Sequence, residues 1–143
     1  MNDLTLQLAN ELIRSTLENA RDRNMPPIAV AVLDAGAHLK ALQREDGVSF
    51  LRVQIAQAKA WGALGMGINS DQIAARYLKD DQQRGFIDAV NAMTSGQLIP
   101  LPGGVVLKDK QGQVLGAIGA AGGESNDDEA CVLGAIDAAG LQR

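Results

Sequence analysis

The run Ala29-Val-Ala-Val-Leu-Asp34-Ala-Gly36-Ala-His38-Leu-Lys-Ala-Leu-Gln-Arg44-Glu-Asp46-Gly47 sets the architecture of this chain. An apolar, β-branched segment stops at Asp-Ala-Gly, a tight-turn sequence, and resumes with partial alternation, which reads as a β-hairpin. Gly36 is the residue expected to take the positive φ of the turn. His38, the only histidine, begins the second strand. Strict alternation would place it with Lys40 and Leu42 on one face, opposite Leu39 and Ala41. A loop then presents Arg44 and Asp46 ahead of a helix that carries Lys59.

Before this hairpin, Ala9, Ile13, Thr16, Leu17 and Ala20 recur at helical spacing, so an amphipathic helix is expected over about 4–20, ended by Asn24-Met-Pro26-Pro27. After it, Ser49 is placed to cap a helix through Ile55, Lys59 and Trp61 that Gly62, Gly65 and Gly67 weaken. Shorter helices are expected from Ser70 and from about Gln82 to Met93, then a long turn-rich loop to Pro102-Gly103-Gly104. Val105–Lys108 and Val114–Ala120 form a second hairpin around Asp109-Lys-Gln-Gly112, which repeats the first with one added turn residue. Asn126 is expected to cap the last helix with Glu129 as its capping-box partner, and Gly140 to close it. The fold class is therefore α+β: an antiparallel sheet of two hairpins flanked by helices, layered in a single domain spanning 1–143.

Composition narrows the function. With 46% hydrophobic but 3% aromatic residues, the core must be built from small aliphatic side chains in close contact. A formal net charge of -4 argues against a nucleic-acid partner, which needs a basic surface. No apolar run approaches the roughly 20 residues that span a bilayer, and the N-terminus lacks the pattern of a secretory leader, so no membrane role and a cytoplasmic location are expected. The single cysteine, Cys131, reads as a small buried hydrophobe. One His, one Cys and scattered carboxylates make no zinc or calcium site. Gly62-Ala-Leu-Gly-Met-Gly67 follows a helix, not a strand, and so is no dinucleotide fingerprint.

The order of the motifs Val-x-Asp34-Ala-Gly36-x-His38-Leu, Arg44-x-Asp46-Gly47, Ile55-Ala-Gln-Ala-Lys59-Ala60, Pro102-Gly103-Gly104-Val-Val, Gly116-Ala-Ile-Gly119 and Asp128-Glu129 resembles the GlcG/HbpS-like family. That family is labelled haem-degrading and is related to the C-terminal domain of PduO-type cobalamin adenosyltransferases. The resemblance covers nearly the whole chain. It implies an antiparallel sheet flanked by helices, assembly into a homo-oligomer, and a small-ligand-binding role with haem or a related tetrapyrrole as the named ligand.

The residues themselves offer a binding set. Arg44 and Lys59 can hold an acid, Asp46 can orient them, and Gly103 and Gly104 can bare backbone amides to an anion. His38 can ligate haem iron axially or move protons. Each also has a plain structural explanation, as an exposed histidine, a surface salt bridge or a tight packing contact. Besides a haem-binding protein, two alternatives stand. One is an enzyme, a hydrolase or isomerase, acting on a small carboxylate metabolite with His38, Asp46 and Lys59 as catalytic candidates. The other is an oligomeric accessory protein of a metabolic pathway.

Overall fold

The computed structural model describes residues 3–143; Met1 and Asn2, part of the N-terminal stretch read for a leader, lie outside the described residues. The elements follow in the order α1 (Leu6–Asp22), β1 (Ala29–Asp34), β2 (Leu39–Arg44), α2 (Phe50–Met66), α3 (Ser70–Lys79), α4 (Asp81–Met93), β3 (Gly104–Lys108), β4 (Val114–Ala121) and α5 (Ser125–Ala138). Both hairpins form, and they join through their inner strands in the order β2-β1-β4-β3, with every neighbour antiparallel. The expected α+β class is the one observed.

Each face of the sheet has its own packing chemistry. On one face Val30, Val32, Val105 and Ile118 meet Leu12 and Ile13 of α1 and Val132 and Ile136 of α5 in the main core. The other face carries α2, and there the contacts are Ala on Ala and Gly: Ala29, Ala31 and Ala121 against Ala56, and Ala117 against Ala60. A Cβ on Gly119 would run into the Ala56 carbonyl and one on Gly104 into the Lys59 carbonyl. Those two glycines let the α2 backbone lie directly on the sheet. α3 and α4 form a satellite layer around Ile73, Ile87 and Leu98.

Several local expectations shift. α1 starts at Leu6, because the Thr5 hydroxyl accepts the Leu8 amide at 3.0 Å and caps it. α2 runs through Gly62 and Gly65 and stops at Gly67, which takes φ 72; helix-on-sheet packing overrides the weak glycine propensity. α5 starts at Ser125 with Glu124 at the cap position, so Asn126 lies inside the first turn and the Asn126–Glu129 box does not form. Gly140 does close that helix, at φ 73.

The hairpin corrections matter most for function. The register pairs Leu33 with Leu39 but Val32 with Ala41, leaving Lys40 as an extra residue in a bulge. A bulge inverts the side-chain alternation beyond it. Leu39 and Ala41 therefore end up on opposite faces: Leu39 pairs with Leu33, which packs on Ala60 of α2, while Ala41 packs into the α1–α5 core. The second hairpin bulges at the equivalent place, pairing Lys108 with Val114 and Leu107 with Gly116. The two hairpin loops have equal length, with no added residue.

Candidate functional site

At the tip of the first hairpin one carboxylate oxygen organises the whole turn. Asp34 Oδ1 accepts the backbone amides of Gly36 at 2.9 Å and His38 at 3.0 Å, and lies 3.3 Å from His38 Nδ1. The His38 amide, together with that of Gly36 and the imidazole, holds the Asp34 carboxyl below its usual range against a smaller opposing effect of burial. Gly36 does not take the positive φ that its place in the turn suggests; Ala37 does, at φ 68. Gly36 leaves room for the histidine instead. A Cβ there would stand 3.0 Å from both Cε1 and Nδ1 of His38, so its absence lets the imidazole fold back toward Asp34.

This arrangement gives the histidine a direction. With Nδ1 turned to a carboxylate, a neutral imidazole keeps its lone pair on Nε2, which is the usual way a second partner prepares a histidine ligand. The side chain is 82% exposed, so the ring is open to a ligand from solvent. A hollow of about 450 Å³ opens against its chain neighbours Ala37 and Leu39, bounded also by Leu33 of the hairpin, by Gln54, Gln57 and Trp61 of α2 and by Gln97.

Lys59 occupies a different place. Its side chain is 1% exposed and its ammonium donates to the Ala120 carbonyl at 2.9 Å and to Asp128 Oδ2 at 3.2 Å. Asp128, fully buried, accepts the Gly123 amide on its other oxygen at 3.0 Å. Burial pulls the Lys59 pKa below its ordinary value, opposed by the Asp128 charge. Lys59 comes against Gly103 and Gly104, without Arg44 or Asp46. A Cβ on Gly103 would stand 3.0 Å from Nζ, and the Gly104 amide already donates to Ser70 Oγ at 2.7 Å. The two glycines here make room for a buried lysine.

Arg44 and Asp46 are exposed and line a separate hollow of about 430 Å³ with Arg21, Pro27 and Glu45. There Glu45 meets Arg21 at 2.9 Å and takes the Ile28 amide at 2.9 Å. The carboxylates that meet Lys59 and Arg21 are thus Asp128 and Glu45. The structure brings together Lys59, Gly103 and Gly104; it puts Arg44 with Asp46, and His38 with Asp34.

Residues 4–137 match the family model described as haem-degrading proteins, HbpS-like. The chain belongs to the HbpS-like family. It is 32% identical to Protein GlcG of Escherichia coli strain K12 over 123 residues, 81% of this chain and 79% of that protein. Its fold matches the crystal structure of a PduOC–haem complex with a TM-score of 0.87 at 21% identity, covering 99% of this chain and 98% of the other. It also matches HbpS with a TM-score of 0.79 at 22% identity, covering 96% and 91%.

Sequence reasoning did not assign two residues of this HbpS-like chain that shape the site. Asp128 shares the buried stripe of α5 with Cys131, Val132, Ala135 and Ile136. A carboxylate at a core position of a helix was the available sign that a cation faces it. Asp34 has the sequence context of a turn former, and its spacing of four residues from His38 is the sign of its second role.

Proposed function

We propose that this protein binds a small ligand at the tip of its first hairpin, with haem or a related tetrapyrrole as that ligand and His38 as its axial donor. The observation that carries the reading is the Asp34–His38 pair: an exposed imidazole, oriented through Nδ1, between Ala37 and Leu39, which line a hollow of mixed aliphatic, indole and amide character. Haem needs such a donor and an apolar surface for its ring. The HbpS-like relatives support the same class of ligand, since one of the matched structures is a haem complex. When bound, haem would supply its own redox and ligand chemistry; the chain's residues would hold and orient it.

The roles divide by exposure. Arg44, beside Asp46, is a surface cation able to meet an acidic ligand group, while Lys59 with Gly103 and Gly104 holds α2 and α5 against the sheet that carries the hairpin. The reading also includes a cytoplasmic homo-oligomer. Phe50, Leu78 and Met93, 80%, 74% and 77% exposed, are large apolar side chains open to contacts between copies. Among the described residues no helix is long and apolar enough to cross a membrane.

Titrating the purified protein with haemin tests the reading through the Soret band. A saturable shift that His38→Ala alters, with native circular dichroism retained, is the expected result. No saturable shift overturns tetrapyrrole binding; a shift that His38→Ala leaves unchanged overturns axial ligation by His38. Light scattering over a concentration series tests assembly, and a monomer throughout removes that part.

A further inference from the structure

The two edges of the four-stranded sheet are finished differently. At β3 each outward amide has a partner: Gly104 donates to Ser70 Oγ at 2.7 Å, Val106 to Asn69 Oδ1 at 3.0 Å and Lys108 to the Gln142 carbonyl at 3.3 Å. Gln142 returns its own amide to Lys108 at 2.9 Å. At β2 nothing corresponds. The Glu45 amide donates to the Ile28 carbonyl, and the register pairs Val30 with Gln43. Antiparallel alternation therefore turns Gln43 toward β1 and turns the backbone groups of Leu42 and Arg44 outward. Among the described residues those outward groups have no hydrogen-bond partner.

An open edge is a template for another strand, and folds ordinarily blunt it. This chain covers one edge completely and leaves the other bare. The helices beside β2 do not close it either. Leu42 joins Val53 and Ile55 of α2 around the alanine cluster on one face of the sheet, while on the other face Gln43 borders a hollow of about 680 Å³ along α1. Leu6 and Leu17 wall that hollow, and Glu11 and Arg14 give it charges of both signs.

The charges select both occupant and register. Antiparallel self-pairing of β2 across a two-fold axis can centre on Leu42 or on Gln43. Centring on Leu42 would set Arg44 against Lys40, like charge opposite like charge, which destabilises a strand pair. Centring on Gln43 sets Arg44 against Leu42, where its aliphatic stem can pack, and brings Lys40 toward the partner's Asp46. The bulge at Lys40 ends the usable edge, so the paired segment is short. The same axis turns the α1 hollows of two copies toward each other, and a surface bearing leucines and both signs of charge is suited to meet itself.

Resting on the reading of this protein as a homo-oligomer, we propose that β2 is the interface strand: two copies pair antiparallel along residues 42–44, with Gln43 on the two-fold axis, and their sheets run on as one. Leu42 and Arg44 of each copy exchange amide–carbonyl hydrogen bonds with the partner's Arg44 and the partner's Leu42.

The test uses the geometry at the axis. The two Gln43 residues form a non-hydrogen-bonded pair with Cα atoms about 4.5 Å apart, within the span of a disulfide. The full chain with Gln43→Cys, under mild oxidation, is expected to form a covalent dimer, whereas Gln82→Cys, exposed on α4, is not. Cys131 is buried and adds no background. Within the Gln43→Cys chain, Arg44→Pro removes one outward amide, a change an edge strand tolerates, and is expected to abolish the crosslink with native circular dichroism retained. Lys40→Asp is expected to slow crosslinking about fivefold, and Lys40→Asp with Asp46→Lys to restore it. Crosslinking of Gln43→Cys no faster than that of Gln82→Cys overturns the β2 interface. A crosslink that Lys40→Asp leaves unchanged overturns the register, whether or not Arg44→Pro folds. Light scattering of the wild type separates the two readings: an oligomer without the crosslink leaves the homo-oligomer standing on another surface, and a monomer without the crosslink overturns both.

Discussion

Lys59 of α2 and Asp128 of α5 meet across the end of the sheet at 3.2 Å, with their side chains 1% and 0% exposed. The pair ties two helices on opposite faces of the sheet to each other. It is also fully satisfied: the ammonium has the Ala120 carbonyl and the carboxylate has the Gly123 amide. Removing one partner would strand the other charge in the core.

Asp128→Leu and Lys59→Met are each expected to destabilise the protein by about 3–5 kcal/mol, the usual consequence of orphaning a buried charge. The double replacement Lys59→Met with Asp128→Leu is expected to be far less damaging than the sum of the two single replacements, because it leaves no unpaired charge. Denaturant unfolding of the four-member cycle measures this coupling, and additive losses would refute it.

Lys59 also makes stability depend on alkaline pH. Its native pKa is lowered from 10.5, mainly by burial. Between the lowered value and 10.5 the unfolded chain holds a proton that the folded one has released, so Lys59 contributes a rise in stability as pH increases through that window. The difference in unfolding free energy between wild type and Lys59→Met isolates this contribution from other titrating groups. A difference that stays flat with pH would show that Lys59 keeps its ordinary pKa.

Asp34 acts at the acid end. Because the fold holds its pKa below 3.8, mainly through the His38 amide, its stabilising effect is present above 3.8 and is lost as pH falls through the lowered native value. Asp34→Asn keeps an acceptor oxygen but no titration. Its stability is expected to fall less steeply than that of the wild type in acid, and parallel acid limbs would exclude this role.

The two hairpin loops, in which Ala37 at φ 68 and Gly112 at φ 82 hold the same left-handed place, give a stability test of opposite sign. Relieving the left-handed Ala37 is worth about 1–2 kcal/mol, less about 0.5–1 kcal/mol for the added freedom of glycine in the unfolded chain. Ala37→Gly is therefore expected to gain about 0.5–1 kcal/mol and Gly112→Ala to lose a similar amount. Thermal unfolding of both variants checks the pair, and shifts of the same sign would contradict the equivalence of the loops.

A glycine at a close approach tests the α2 contact. A Cβ on Gly104 would collide with the Lys59 carbonyl, a backbone group that cannot swing aside. Gly104→Ala is expected to destabilise by about 1–3 kcal/mol through forced separation of α2 from β3. Gly96→Ala is no equivalent control, since Gly96 has φ 77, but Gly85→Ala is, because nothing lies within 4 Å of the Cβ position at Gly85. That exposed helical replacement should be neutral or mildly stabilising.

Much of this was legible in the residues because it is local. Hydrophobic period separates α1 from β1, Asp34 and Asp109 mark turns by their own side-chain chemistry, and the alanine-rich Ile55–Ala60 segment announces a helix lying close to something flat. The family, too, was readable from the order of short motifs along the chain. The bulge at Lys40 was not, since one extra residue leaves no mark in composition yet moves Leu39 to the opposite face from Ala41. Nor was the identity of the left-handed residue, because two neighbouring small residues, Gly36 and Ala37, compete for it and the loop's hydrogen bonds, the same that place Gly112 in the second hairpin, decide between them.

The chain's own residues thus specify two hairpins, five helices, a polar turn holding the sole histidine, and membership of the HbpS-like family, all through interactions between neighbours in sequence or motifs kept in order. Which groups meet across the molecule depends on long-range packing. Antiparallel hairpins can join through either edge, and only the pairing of Ala29 with Ala121 sets the inner strands together. That pairing lays α2 on Gly104 and Gly119 and turns Lys59 inward to Asp128, 69 residues away. Arg44 and Asp46 stay on the surface beside Arg21. A lysine's reach and a carboxylate's charge are evident in a sequence, but which cation a carboxylate meets is settled by the position of the backbones that carry them.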